Sequence, residues 1–92
     1  MNDPQSIRAE IKRTLVDVLE LDIPPEQIRD NDALFAHGMG VDSVEALEIV
    51  RELEKRFSIR LADDEIGTAM FQDVLSLADT VSAALAKAPV AR

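Results

Sequence analysis

Apolar positions recur along the chain at helical spacing. Ile7, Ile11, Leu15 and Val18 follow steps of four, four and three, which predicts an amphipathic helix over about 3–19. Asp3 before Pro4 gives it a start, with the proline at the first helical position. Val44, Leu47, Val50, Leu53 and Phe57 step by three, three, three and four, predicting a second helix over about 42–57. Asp42 followed by Glu45 has the form of a capping box, with Asp in place of Ser or Thr; Asp42 is then the cap and Ser43 the first helical residue. Val74, Leu77, Val81 and Leu85 step by three, four and four, so a last helix runs from near Asp73 to about Lys87.

Between these helices the pattern changes. From about Leu21 to Val41, Pro24-Pro25 bars helix, Asp30-Asn31-Asp32 is turn chemistry, and Gly38 and Gly40 punctuate the end. Ile23, Ile28, Leu34 and Phe35 are expected to pin this long loop to the core. Ordered connections of this length are often functional. Ser58-Ile59-Arg60-Leu61 reads as a short link. Asp63 to about Ala69 reads as a short third helix, opened by acids, weakened by Gly67 and anchored by Met70-Phe71. The predicted fold is all-α: a small four-helix bundle with a short third helix and a long loop between helices one and two. Val44, Leu47, Val50, Leu53, Phe57, Phe71, Val74 and Leu77 are expected in its core. A single domain over 1–92 is expected, with an ordered core of roughly 4–87 and a fraying tail after it.

Composition narrows the function. Ten basic residues against eighteen acidic ones leave a net charge of −8, which argues against nucleic-acid binding and favours partners with basic surfaces. A 47% hydrophobic content excludes a disordered acidic tail, and the only aromatics, three Phe, imply an aliphatic core. Cysteine is absent, which removes disulfides, thiolate metal sites and cysteine nucleophiles. No apolar run approaches the ~20 residues of a membrane span, and Met1-Asn2-Asp3-Pro4 has no signal-peptide core. A cytoplasmic domain is expected.

The chemistry concentrates at Gly38-Met39-Gly40-Val41-Asp42-Ser43-Val44. A serine hydroxyl stands there at a helix start, behind a glycine-bearing approach. Unpaired first-turn amides and the positive end of the dipole favour an anionic group attached to that oxygen. Simpler readings compete. Ser43 is also a common helix-start residue. His37 as a base for Ser43 lacks an orienting group and an oxyanion hole, so an exposed loop histidine is the better reading. Asp30 and Asp32 begin like a calcium loop, but Leu34 takes the next ligand position; they read as turn residues, and no metal site is expected. Asp63-Asp64-Glu65 reads first as dipole complement, and the acidic face of the second helix as solvated surface.

The run Phe35-Ala36-His37-Gly38-Met39-Gly40-Val41-Asp42-Ser43-Val44 resembles the acyl carrier protein family, whose pattern is a phenylalanine, a short acidic turn and Leu-Gly-x-Asp-Ser-Leu. The likeness extends to Asp32-Ala33-Leu34-Phe35, to Glu45-Ala46-Leu47-Glu48-Ile49-Val50 with Leu53-Glu54-Lys55-Arg56-Phe57, and to Phe71-Gln72-Asp73-Val74 with Leu77-Ala78 and Val81. It implies that Ser43 carries 4′-phosphopantetheine, transferred from coenzyme A by a phosphopantetheinyl transferase, with Asp42 as the helix cap beside it. The arm's thiol would hold acyl groups as thioesters, and the chain would be a non-catalytic carrier serving fatty-acid, polyketide or related specialised acyl biosynthesis. Acyl-activating, condensing or acyl-transfer enzymes with basic surfaces are the implied partners, docking on Val44, Glu45, Glu48, Glu52, Asp63, Asp64 and Glu65; a monomer is expected.

Four departures from the family pattern stand out. Met39 stands where Leu is usual and Val44 where Leu, Met or Ile is usual, both keeping the site apolar; His37-Gly38 replaces the usual acidic pair, Arg51 stands at a commonly apolar position, and Lys55 at a commonly acidic one. These point to a specialised partner set. An amino-acyl, peptidyl or D-alanyl carrier, or a helical interaction module without the arm, remain open alternatives.

Overall fold

Each helix begins where a short acid can cap it. The computed structural model describes residues 3–34, 40–61 and 66–87. Helix α1 runs Pro4–Leu19, with Asp3 accepting a hydrogen bond from the Ser6 amide at 3.1 Å and Pro4 in the first turn. Helix α2 runs Ser43–Phe57 and helix α3 Val74–Lys87. Asp73 caps α3, its Oδ1 accepting from the Ser76 amide at 2.8 Å and the Ser76 hydroxyl at 2.9 Å. Single 3₁₀ turns cover Pro25–Gln27 and Thr68–Phe71. The sequence predicted a short helix over 63–69; its described end is the second of these turns, while 62–65 lie outside the described residues. Met70 and Phe71 are buried there as expected. The all-α reading holds, and the tail after 87 lies outside the described residues.

The core joins all three helices: Ile7, Ile11 and Leu15 from α1, Ile49, Val50 and Leu53 from α2, and Val74, Leu77 and Val81 from α3. Two expected core residues are instead exposed, Val44 at 68% and Leu47 at 46%. The cause is geometric. At 3.6 residues per turn, each step of three falls about 60° short of a full revolution, so three such steps carry Val44 to the side opposite Leu53. Leu53 is fully buried, so Val44 must face out, and Ile49, four residues before Leu53, takes the core position. Ile23 is likewise exposed at 39%; Ile28 and Leu34 hold the long loop in its place.

A polar cluster fastens α1 to α2. The Arg56 guanidinium donates to Asp17 at 2.7 Å, Glu52 at 2.9 Å, and Glu10 and the Thr14 hydroxyl at 3.1 Å each. Thr14 is fully buried and donates to the Glu10 carbonyl at 2.8 Å. Burial works against the Arg56 charge, but the hydrogen bonds to Asp17 and Glu52 outweigh it and raise its pKa above the ordinary value.

Candidate functional site

The approach to Ser43 is tied down on both sides. The Leu75 amide donates to the Asp30 carbonyl at 3.0 Å, and the Leu34 amide to the Gln72 carbonyl at 3.3 Å, so the long loop is hydrogen-bonded to the start of α3. The Val41 amide then donates to the Leu34 carbonyl at 2.9 Å, bringing the chain back to this anchor two residues before the serine. Val41 and Leu34 are both buried. Gly40, immediately before Val41, stands at φ +70°, a conformation that costs an L-residue energy and glycine little.

Asp42 performs the capping the sequence predicts. Its Oδ1 accepts from the Glu45 amide at 2.8 Å, while Glu45 Oε1 accepts from the Asp42 amide at 3.3 Å. Ser43 is therefore the first residue of α2, exposed, and its hydroxyl has no hydrogen-bond partner among the described residues. The Ser43 and Val44 amides are also without an acceptor there, as expected for the first two positions of a helix. Among the described residues the result is a free hydroxyl on a capped helix, beside two free amides and the positive end of the dipole. That arrangement suits an oxygen bearing a phosphodiester, because the anion meets donors while whatever follows it extends into solvent.

The other residues singled out from sequence separate into bound and free. Val44 stands beside Ser43 and is exposed. Glu45 is committed to the capping box and Glu52 to Arg56, whereas Glu48 is exposed and unpaired among the described residues. Sequence reasoning missed Glu54, whose Oε2 accepts from the Leu61 amide at 2.9 Å and fixes the link after α2. Nothing in the local pattern signals that bond, which spans seven residues. His37, Asp63, Asp64 and Glu65 lie outside the described residues, as does Phe35.

Asp30 and Asp32 are engaged as turn residues. Asp32 accepts from the Arg29 amide at 2.9 Å, and Asp30 pairs with Lys12 at 2.7 Å and Arg8 at 3.2 Å. The Lys12 hydrogen bond holds the Asp30 carboxyl below its usual pKa. Among the described residues no group of three His, Cys, Asp or Glu is placed to hold a metal, and no helix is long and apolar enough to cross a membrane. An open hollow of about 360 Å³ lies along α1, lined by Arg8, Lys12, Arg13 and Asp30 among others, and includes no residue of the Ser43 segment.

A family model described as a phosphopantetheine attachment site matches residues 9–81. The chain is 39% identical over 59 residues to a polyketide-8 synthase acyl carrier protein 2 of Streptomyces avermitilis, covering 64% of this chain and 64% of the relative. It is 36% identical over 61 residues to an acyl carrier protein of Buchnera aphidicola, covering 66% and 72% of the two chains. The solution NMR structure of a holo acyl carrier protein from Nitrosomonas europaea superposes with a TM-score of 0.77 at 26% identity, covering 86% of this chain and 95% of that one.

Proposed function

The chain belongs to the phosphopantetheine attachment-site family, the acyl carrier proteins, and we propose that its 4′-phosphopantetheine is borne on Ser43 and that the whole of 1–92 works as one carrier domain. The observation that carries this reading is the exposed Ser43 hydroxyl, unpartnered among the described residues, at the first position of a capped helix. When bound, the group supplies a thiol that holds acyl units as thioesters. The chain lacks cysteine, so it has no thiol of its own to compete.

The protein's own residues position and present. Asp42 and Glu45 fix the first turn of α2, and the Leu34–Val41 hydrogen bond fixes the chain leading to it. The first-turn amides of Ser43 and Val44, unpaired among the described residues, offer donors to the phosphodiester. Exposure of Ser43 and Val44 leaves room for a phosphopantetheinyl transferase, and afterwards for acyl-activating, condensing or acyl-transfer enzymes. The chain has no catalytic step of its own in this reading; it is the transferase's substrate, a monomer handed between enzymes in the cytoplasm. Fatty-acid, polyketide or related specialised acyl assembly is the class of pathway this reading covers; a polyketide synthase carrier and acyl carrier proteins both stand among the relatives.

Tandem mass mapping of the chain after incubation with coenzyme A and a transferase tests the site. The added group is expected on the peptide containing Ser43, and modification of any other residue overturns the assignment. Loading of the modified chain with acyl units by a partner enzyme would place it among acyl carriers. Loading with an amino acid instead would place it among amino-acyl carriers.

A further inference from the structure

The charges of α2 are not all available to a partner. Glu45 is held in the capping box, Glu52 by Arg56, and Glu54 by the Leu61 amide. Arg56 in turn is spent on α1 and Glu52. The side chains left exposed and unpaired among the described residues are Glu48, Arg51 and Lys55. Among the described residues α2, with four glutamates, thus presents two unpaired cationic side chains and one unpaired carboxylate, on a protein whose net charge is −8.

These residues share one ridge. At 3.6 residues per turn, Val44, Glu48, Arg51 and Lys55 fall within roughly 60° of one another, at the pole opposite Ile49, Val50 and Leu53. Leu47 flanks them and is also exposed. The ridge is apolar beside Ser43 and basic about 12–18 Å along the helix from it, at 1.5 Å per residue. Beside it a shallow hollow of about 340 Å³ is bounded by Val18, Glu48, Arg51 and Glu52.

We propose that the enzyme that reaches Ser43 seats on this ridge with an apolar recess over Val44 and Leu47 and with carboxylate side chains facing Arg51 and Lys55. The proposal rests on the reading of Ser43 as the attachment site. It reverses, for the far half of α2, the expectation that partners dock here through basic residues. An interface of ordinary size, about 800 Å² per partner, reaches both ends of the ridge from Ser43. Apolar contact next to the reacting oxygen supplies area, and the two cations set orientation and select against a partner with a basic rim.

The test uses the phosphopantetheinyl transferase of the chain's own organism as the probe, with coenzyme A and intact-mass readout of the rate. Arg51→Glu with Lys55→Glu is compared with Arg13→Glu with Arg29→Glu, which changes the net charge equally but lies off the ridge. At low salt the ridge pair should lower kcat/KM at least about fivefold, mainly through KM. The off-ridge pair should stay within twofold. The ridge defect should shrink in high salt, where screening is strong. The neutral pair Arg51→Gln with Lys55→Gln, which adds no like charges to α2, should fall about threefold. Unfolding midpoints of all variants check that each is folded. Unchanged or faster loading of the ridge variants overturns the proposal while leaving Ser43 as the site. Failure of the wild type to load with any transferase of that organism overturns both.

Discussion

Removing the Arg56 side chain should weaken the protein far more than its position near the surface suggests. Arg56 is 22% exposed, and its partners Glu10, Glu52 and Asp17 are 21%, 32% and 60% exposed. The Asp17 pair is largely solvated and the Glu52 pair is an i,i+4 helix pair, so each contributes about 0.5 kcal/mol. The Glu10 contact is better shielded and is shared with buried Thr14, which adds about 1 kcal/mol. The expected loss for Arg56→Ala is about 2 kcal/mol. Urea denaturation followed by circular dichroism reads this directly. With a slope near 1 kcal/mol/M for a domain this small, the midpoint should fall by about 2 M. Arg56→Lys should recover less than half, because one ammonium cannot reach carboxylates on two helices in the planar fork geometry. A midpoint shift below about 0.5 M, or full recovery by lysine, would refute the idea that the cluster clamps α1 to α2.

Three further substitutions probe the frame around Ser43. Asp42→Ala should cost about 1 kcal/mol in denaturant unfolding, whereas Glu45→Gln, which can still accept from the Asp42 amide, should cost much less. Gly40→Ala has open space for its methyl group but an unfavourable φ, so it should lose about 1 kcal/mol; Ser58→Gly, at φ +54° after α2, should gain up to about 1 kcal/mol, both read as shifts in Tm. The Asp30 carboxyl has a depressed folded pKa, so its stabilising contribution is present above the unfolded carboxylate pKa near 4 and is lost as pH falls through the folded value. Asp30→Asn should accordingly be less stable than wild type at pH 7, with the gap closing in acid, and a gap independent of pH would contradict the pairing with Lys12 and Arg8.

How much of this was legible in the sequence follows from the range of each interaction. The helix starts were readable because capping is local: Asp3 with Pro4, Asp42 with Glu45, and Asp73 all lie within three residues of what they bind. The buried face of α2 was misread because apolar residues lie on both sides of it, and a run of steps of three precesses across the helix. Ile49 marks the true face, and its four-residue step to Leu53 was the available signal. The Arg56 cluster was not legible, since its α1 partners lie 39 to 46 residues away in sequence. The place of Ser43 at a helix start was legible from Asp42 and Glu45, but its exposure, its lack of a hydroxyl partner among the described residues and the committed state of Glu45 and Glu52 required the packed structure.

The most direct measurement is the intact mass of the chain after incubation with coenzyme A and a phosphopantetheinyl transferase, beside Ser43→Ala treated identically. Alanine favours helix and leaves the Asp42 cap in place, so the variant should fold. A gain of one phosphopantetheine on the wild type and none on Ser43→Ala is the predicted result. Equal gain on both proteins, or none on a folded wild type with every transferase of its own organism, would contradict the account.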